Sequence, residues 1–255
     1  MSIFGTQKGG MVQANPLAPL EAPEPPAATL PPPPPENLLT AARVGRCWPS
    51  NKDTVRWAEA LEPAFQRFEI TTALQMAAFM AVCAQESGDG RRLVENLDYT
   101  PAALLATFSA FSPQTAKLHG RTDAHPADPY WIAEIAYGGR GGNGPTGSGD
   151  GFANRGVSLI QQTGRDNLTK AAIFFGMKLP DYRDWQRTAA GAAMGSAFYW
   201  RDNRLNRFAD MNSREGFKKL SAVVNRGSEF KEPKDWDKRL ACYERCRLAF
   251  GLPLV

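Results

Sequence analysis

The sequence predicts a mainly α-helical fold, and three observations lead to this prediction. Apolar residues recur at intervals of three and four in several segments, which is typical of helices with one buried face. Three times a Thr, Ser or Asp stands directly before a proline, a pairing that often begins a helix. The alternation of apolar and polar residues that marks β-strands is scarce.

The first 35 residues differ from the rest in composition. The segment from Asn15 to Pro35 is rich in Pro and Ala and ends in five consecutive prolines. Such a segment favours an extended polyproline conformation and supplies no core. We therefore predict a flexible tail and proline-rich linker over residues 1–35, with a PxxP docking ligand as the alternative, and one folded domain over residues 36–255.

The predicted helices follow in chain order. Four residues lie at helical spacing, namely Trp57, Leu61, Phe65 and Phe68, and Pro63 is expected to kink or split their helix. Three short helices are predicted to begin at Thr100-Pro101, Ser112-Pro113 and Asp128-Pro129. Four later helices are predicted over Asn167–Phe175, Thr188–Trp200, Ser213–Asn225 and Asp235–Phe250.

One helix organises the rest of the chain. Thr72 and Gln75 form a capping-box pattern, which satisfies free amide hydrogens at a helix start. An apolar run follows, and Gly88 and Gly90 are expected to end the helix because glycine accepts the left-handed conformation. This places Glu86 in the last turn of an apolar helix, with Glu95 a short polar segment later.

These two glutamates are candidates for acid–base chemistry. The negative end of a helix and an apolar wall both favour the protonated form of Glu86, which a general acid needs. Glu95 follows a polar segment that is expected to favour its charged form. Two carboxyl groups in different environments suit glycoside hydrolysis. Ordinary solvated glutamates at a helix end are the alternative interpretation.

Composition narrows the functional classes. With 30 Lys and Arg against 26 Asp and Glu, the chain has a net charge of +4, a mild excess that suits a polyanionic surface such as a cell wall. The sequence shows no basic run interleaved with aromatic residues, so no nucleic-acid partner is expected. It also shows no membrane-length apolar stretch and no signal peptide, so we expect synthesis in the cytoplasm without conventional export.

Metal and nucleotide cofactors are not expected. The cysteines lack the paired spacing of a zinc ribbon or a disulfide framework, and free or core thiols are predicted for Cys47, Cys83, Cys242 and Cys246. A glycine-rich stretch from Gly138 to Gly151 contains a formal GxGxxG match, but no β–α–β unit is predicted around it. We interpret it as a mobile loop beside a groove.

Three ordered blocks, spread over Arg56 to Phe250, carry a resemblance to a known family. The first, AQESGDGRRLVENLDYTPAALLATF, is similar to the segment around the catalytic acid of glycoside hydrolase family 19. Its pattern is nearer to the phage and bacterial lysozyme-like endolysin members than to the plant chitinases. Those members typically carry a histidine where this chain has Gln85. The resemblance implies a lysozyme-like, mainly α fold with a glycine-rich loop beside the substrate cleft.

The second block resembles the family's GDG…RGRGLIQLTGR motif. It consists of Gly149-Asp150-Gly151, Arg155-Gly156 and the run from Leu159 to Arg165. The resemblance implies that the side chains lining the sugar cleft are Gln161, Thr163 and Asn167. Amide and hydroxyl groups suit this role because they both donate to and accept from sugar hydroxyls and N-acetyl groups.

The third block, from Val224 to Glu229, resembles the family's INGG segment and the glutamate after it. The resemblance implies a substrate-binding role for Asn225. It also implies an ion network that joins Glu229 and Arg239 to the catalytic acid. Surface charges on the last helices are the alternative interpretation of Glu229 and Arg239.

The chain departs from the family pattern at a few positions. Val157 and Ser158 replace the second arginine-glycine, Gln162 replaces leucine, and Arg226 stands where glycine is usual. These changes are expected to touch the floor of the cleft, where they would alter substrate preference or weaken catalysis.

Together these observations predict hydrolysis of β-1,4 bonds between amino sugars, with peptidoglycan as the favoured substrate. Glu86 would protonate the leaving oxygen, and Glu95 would activate water, with Asp89 and Asp98 as competing candidates for the second carboxylate. The resemblance implies inversion, for which carboxyl groups stand about 6.5–9.5 Å apart, whereas about 5 Å indicates retention.

Two alternative functions stay open. Chitin shares the N-acetylglucosamine unit and the bond type, so the first is a chitinase. The second is a wall-binding module that has lost turnover. A monomer that acts in the periplasm or cell wall of a bacterium is expected. Three biological roles stay open. The protein could be a lysis enzyme that acts with a holin, a component of a virion, or an antibacterial effector that a secretion machine delivers and an immunity protein neutralises.

Overall fold

Thirteen α-helices joined by loops make up residues 38–255, the part of the chain that the computed structural model describes. The predicted tail and linker, residues 1–35, lie outside the described residues. Extended pairing within the described part is limited to two isolated antiparallel bridges, Val94 with Val157 and Val157 with Gln162. The prediction of a mainly α fold is confirmed.

The helices are short, and most have a recognisable beginning and end. Their bounds are α1 (Ala41–Cys47), α2 (Thr54–Arg67), α3 (Ala73–Ser87), α4 (Pro101–Thr107), α5 (Pro113–His119), α6 (Pro129–Tyr137), α7 (Asp150–Ala153), α8 (Arg165–Phe174), α9 (Leu179–Trp185), α10 (Ala189–Asp202), α11 (Asn206–Ala209), α12 (Arg214–Arg226) and α13 (Trp236–Ala249).

The predicted start and stop signals act as expected. Thr72 and Gln75 form the capping box of α3, and Gly88 ends that helix in the left-handed conformation at φ 60°. The three residues before proline cap their helices with side-chain hydrogen bonds: Thr100 caps α4, Ser112 caps α5 and Asp128 caps α6. The last predicted helices, α8, α10, α12 and α13, begin and end within two residues of their expected bounds.

Two expectations about the helices need correction. Pro63 does not split α2, which runs unbroken through it. Trp57, Leu61 and Phe65 are buried along this helix, and their packing offsets the backbone hydrogen bond that proline removes. Four helices were not predicted, namely α1, α7, α9 and α11; each spans seven residues or fewer, which is too short for a clear apolar period.

Two apolar clusters form the interior. The larger is built around α3, which is buried along most of its length and packs against α1, α11 and α13. The smaller cluster joins α4, α5 and α6 through Leu104, Ala116 and Ile132. A helix with apolar residues all round is expected at the centre of a core, which explains the burial of α3.

Other features of the described part concern membranes, metals and thiols. No helix within residues 38–255 is long and apolar enough to span a bilayer. The same residues hold no group of three or more His, Cys, Asp and Glu side chains arranged to bind a metal ion. All four cysteines are free thiols, as predicted, and three of them are buried.

Candidate active site

A groove with a volume of about 700 Å³ opens between the two apolar clusters. Tyr199 and Val223, which pack on the larger cluster, line one part of it, and Phe108 and Tyr137, which pack on the smaller cluster, line another. Helix α3 ends at this groove, so that its last turn and the loop after it reach the opening. An open groove can accommodate a polymer chain, whereas an enclosed pocket cannot.

Glu86 lies in the last turn of α3 and faces the groove. Its Oε1 accepts a hydrogen bond from Nη1 of Arg239 at 2.7 Å, and the Arg239 side chain is only 4% exposed. Arg239 is itself held by a bond from its Nε to the carbonyl oxygen of Lys234 at 2.8 Å. Glu86 therefore has a buried, fixed cation as its partner, as the family resemblance implied, instead of the purely apolar wall that its helix suggested.

Glu95 is positioned by a short antiparallel pairing of backbone segments. Its amide donates to the carbonyl of Gly156 at 2.8 Å, and its Oε2 accepts from the amide of Gly156 at 3.2 Å. Its Oε1 accepts a hydrogen bond of 2.5 Å from the hydroxyl of Tyr137, the last residue of α6. The carboxyl group is thus fixed by both oxygens.

The environment of Glu95 differs from the predicted one. Burial raises the pKa of Glu95 above its usual range, while the Tyr137 hydrogen bond, the Gly156 amide and the charge of Arg155 each lower it in part. Burial, together with the negative charge of Glu95, raises the pKa of Tyr137, so that its hydroxyl stays a donor. The expectation that a polar setting favours the charged form of Glu95 was wrong, because burial beside aromatic side chains of the smaller cluster outweighs its polar contacts.

The two alternative carboxylates lie elsewhere. Asp89 is buried, accepts from the Ser50 amide at 3.1 Å and lies 3.5 Å from Nη2 of Arg245. Asp98 forms a half-exposed ion pair with Arg121. The carboxylates that line the groove within the described residues are Glu86 and Glu95, and this favours Glu95 as the second of the pair.

The predicted sugar-binding residues all line the groove, and they are Gln161, Thr163, Asn167 and Asn225. Three of them form a connected series. Gln161 donates its amide to the carbonyls of Arg92 and Ser158, Thr163 donates its hydroxyl to the carbonyl of Gln161, and Asn167 donates to the carbonyl of Thr163. These bonds leave the side-chain oxygens of Gln161 and Asn167 available as acceptors for a ligand.

Glu229 does not join the expected network. It pairs with Arg207 at 2.5 Å, whereas Arg239 pairs with Glu86. The arginine of the predicted network is in place, and the glutamate has a different partner. A loop between α12 and α13 carries Glu229, and its sequence alone gives no direction for the side chain.

The departures from the family pattern do not all face the groove. Val157 and Ser158 are buried, and the Ser158 hydroxyl accepts a hydrogen bond from Ser196 of α10. Gln162 reaches the groove lining, but its amide donates to the Gly195 carbonyl and its oxygen accepts from the Tyr182 hydroxyl. The polar side chains of Ser158 and Gln162 are satisfied inside the protein, so these residues act mainly in packing at and beneath the groove floor.

The glycine-rich segment is held by a buried carboxylate, Glu134 of α6. Its two oxygens accept backbone hydrogen bonds from Gly147, Gly149 and Phe152, at 2.9, 3.1 and 2.8 Å. The short helix α7 begins inside this segment, so the loop predicted there is partly helical and is anchored by hydrogen bonds. The residues that flank the segment, Tyr137 and Gly156, line the groove and contact Glu95, so the anchored loop lies beside the site.

Sequence reasoning missed Tyr137 and Glu134. Tyr137 resembles any aromatic residue at the end of an apolar helix, and Glu134 resembles any solvated helix glutamate. The signal that was available for Glu134 is its place in an otherwise apolar helix, YWIAEIAY, before a glycine-rich loop whose amides need acceptors.

Comparison with known proteins places this chain in a family. None of the protein-family models matches the chain. A protein of Haemophilus influenzae, named as a glycosyl hydrolase family 19 domain-containing protein, is 32% identical over 171 residues, which cover 66% of this chain and 79% of that protein.

Solved structures share the fold. A bacterial family 19 chitinase is 18% identical with a TM-score of 0.52, over 85% of this chain and 97% of its own. Chitinase C from Streptomyces griseus is 16% identical with a TM-score of 0.54, over 86% and 79%. A class IV chitinase from Zea mays is 14% identical with a TM-score of 0.52, over 86% and 95%. At these identities the likeness concerns the fold, and it confirms the predicted family 19 fold.

The Haemophilus relative reaches this chain over most of its length at an identity that establishes common descent, and the fold agrees with it. The chain belongs to glycoside hydrolase family 19 and is a glycoside hydrolase.

Proposed function

We propose that this enzyme hydrolyses β-1,4 bonds between the amino sugars of bacterial peptidoglycan, with Glu86 as the general acid and Glu95 as the general base. One observation carries this proposal: Glu86 and Glu95 line one groove, and each is fixed by its own partners. A pair of positioned carboxyl groups is what hydrolysis of a glycosidic bond requires.

The contacts support a division of roles. Arg239 engages Oε1 of Glu86, and Oε2 has no hydrogen bond within the described residues, so the second oxygen is free to deliver a proton to the glycosidic oxygen. Tyr137 and Gly156 hold Glu95 from two sides and leave its remaining lone pairs for a water molecule.

The proposed reaction is a single displacement. Glu86 gives its proton to the leaving sugar oxygen as the bond to the anomeric carbon breaks. Glu95 takes a proton from water as the water oxygen bonds to that carbon from the opposite face, so the product has the inverted configuration. Glu95 must be ionised to act as a base, and its raised pKa then places the acid limb of the pH–rate profile above the usual range of a glutamate.

A chitinase is the second candidate, because the solved structures that share the fold carry that name. Chitin and peptidoglycan share the N-acetylglucosamine unit, and the amide and hydroxyl side chains of the groove suit both. In either case the substrate is a polysaccharide. A role as an endolysin or antibacterial wall hydrolase follows if peptidoglycan is the polymer that is cut.

Reducing-end release from purified peptidoglycan and from chitin oligomers tests the proposal. Glu86→Gln keeps the size of the side chain and removes the transferable proton, so we expect activity to fall by about 10²–10⁴-fold. The matched control is Glu59→Gln, the same change at an exposed position of α2. An active Glu86→Gln variant would exclude Glu86 as the acid, and release from chitin alone would favour the second candidate. Detecting the α-anomer as the first product would establish inversion.

A further inference from the structure

The charged side chains that line the groove differ in whether an opposite charge outside the lining offsets them. Those that line it within the described residues are the carboxylates Glu86 and Glu95 and the cations Arg92 and Lys234. Glu86 is already paired with Arg239, and Arg155 adds positive charge near Glu95. The negative charge of each carboxylate is therefore offset by an arginine outside the groove lining. The two lining cations, Arg92 and Lys234, are available to a ligand.

Arg92 lies in the loop between α3 and Glu95, where its backbone is fixed. Its amide donates to the carbonyl of Ser87 at 2.9 Å, and its carbonyl accepts from Gln161 at 3.2 Å. Its guanidinium lies beside Gly88: a Cβ atom added to Gly88 would stand 3.1 Å from Nη2 of Arg92. The side chain is exposed, and within residues 38–255 it has no ion pair or hydrogen bond of its own.

Lys234 lines the groove just before α13, next to the pair of Arg239 and Glu86. Its amide donates to Oδ1 of Asn225 at 2.9 Å, and its carbonyl accepts from Arg239. The neighbouring Asp235 bonds to Lys238 at 2.9 Å, and the positive charge of Lys234 also helps to lower the pKa of Asp235, but the ammonium group of Lys234 forms no ion pair in the described part of the chain. Hydrogen bonds of the backbone thus fix the positions of Arg92 and Lys234 in the groove lining, while their charged side-chain ends stay unpaired within the described residues.

The candidate polymers differ in charge. Chitin is neutral, so an exposed cation gains nothing from it beyond ordinary hydrogen bonds. Peptidoglycan carries carboxylates at regular intervals, either on its stem peptides or, where these have been removed, on the lactyl group of each muramic acid. A guanidinium or ammonium group forms a stronger bond with a carboxylate than with a neutral acceptor.

We propose that Arg92 and Lys234 are specificity-determining residues that bind carboxylates of the peptidoglycan chain and so separate it from chitin. This inference rests on the proposed function and deepens it, since it names the part of the substrate that the groove reads. Electrostatic complementarity of this kind contributes mainly to discrimination between partners.

Binding tests this without turnover. In the Glu86→Gln background, Arg92→Gln and Lys234→Gln are combined and sedimented with insoluble peptidoglycan, with amidase-stripped glycan strands and with chitin. Arg56→Gln with Lys52→Gln, two exposed cations of the α1–α2 region outside the groove lining, form the matched control. Unmutated protein is assayed for reducing-end release in parallel.

We expect the double variant to bind peptidoglycan about tenfold more weakly and chitin within about twofold of its parent. Its binding should also depend less on salt, because the screened contacts are gone. A loss on stripped strands would identify the lactyl carboxylate, and a loss on intact walls alone would identify the stem peptides.

Equal losses on chitin and peptidoglycan, or full retention of peptidoglycan binding, would overturn the inference. So would a parent protein that binds chitin as tightly as peptidoglycan. If the parent binds peptidoglycan selectively, the double variant loses that binding and the unmutated protein releases no reducing ends, the proposed hydrolysis fails while the assignment of Arg92 and Lys234 stands.

Discussion

The hydrogen bond between Tyr137 and Glu95 leads to a prediction about the pH dependence of the reaction. The Tyr137 hydroxyl donates to Glu95 at 2.5 Å in a mostly buried setting, and this bond lowers the pKa of Glu95 against the larger effect of burial. Tyr137→Phe removes the donor and keeps the ring that packs against Phe108. The pKa of Glu95 should therefore rise further.

The sign and the size follow from these contacts. A base acts when ionised, so a higher pKa moves the acid limb of kcat/KM to higher pH. A hydrogen bond to a charged group contributes about 1.5–3 kcal/mol, and one pH unit corresponds to about 1.4 kcal/mol. Because the open groove lets water replace part of the lost bond, we take the low end and expect a shift of about one pH unit.

The assay is kcat/KM for reducing-end release across the pH range on the polymer that the enzyme cuts. Tyr130→Phe is the control, since it makes the same change on the same helix at a residue that lies outside the groove lining. A Tyr137→Phe profile that coincides with the unmutated one, or that moves to lower pH, would refute the link between this bond and the state of Glu95.

Two further predictions concern the supports of the site. Glu134→Gln replaces one acceptor oxygen by a donor that faces backbone amides, so we expect the free energy of unfolding in urea to fall by about 1.5–3 kcal/mol. The control Glu59→Gln should change this free energy little. A loss below about 0.5 kcal/mol for Glu134→Gln would contradict the anchoring role. Gly156→Ala places a Cβ atom 2.7 Å from Oε1 of Gln161 and 3.3 Å from Cβ of Glu95. We expect kcat/KM to fall about 10–100-fold with the circular dichroism spectrum unchanged, and activity within twofold of the unmutated enzyme would show that the two side chains move aside at little cost.

Local signals explain how much of the fold was predictable. Thr72 with Gln75, and the residues before Pro101, Pro113 and Pro129, act on amides within one helical turn, so their effect is visible in the sequence. Pro63 shows the limit of such signals. Its local cost is real, but the buried face of α2 outweighs it, and burial depends on distant parts of the chain.

The site divides in the same way. The sequence identified Glu86 and Glu95 and the groove residues of the second and third blocks, and all of these line one groove. It misjudged the setting of Glu95, because the desolvation of that carboxyl group comes from side chains such as Tyr137, which lies 42 positions away. It also gave no partner for Glu229, whose side chain turned to Arg207.

The sequence by itself determined the helical class, most helix boundaries, the family resemblance and the two glutamates that line the groove. These features depend on chemical type, apolar period and contacts within a few residues. Tertiary structure alone decided which groups surround each carboxylate: Arg239 at Glu86, Tyr137 at Glu95 and Glu134 beneath the glycine-rich segment. The state of an ionisable group depends on burial and on charges within a few ångströms, and those neighbours come from segments that only the folded chain brings together.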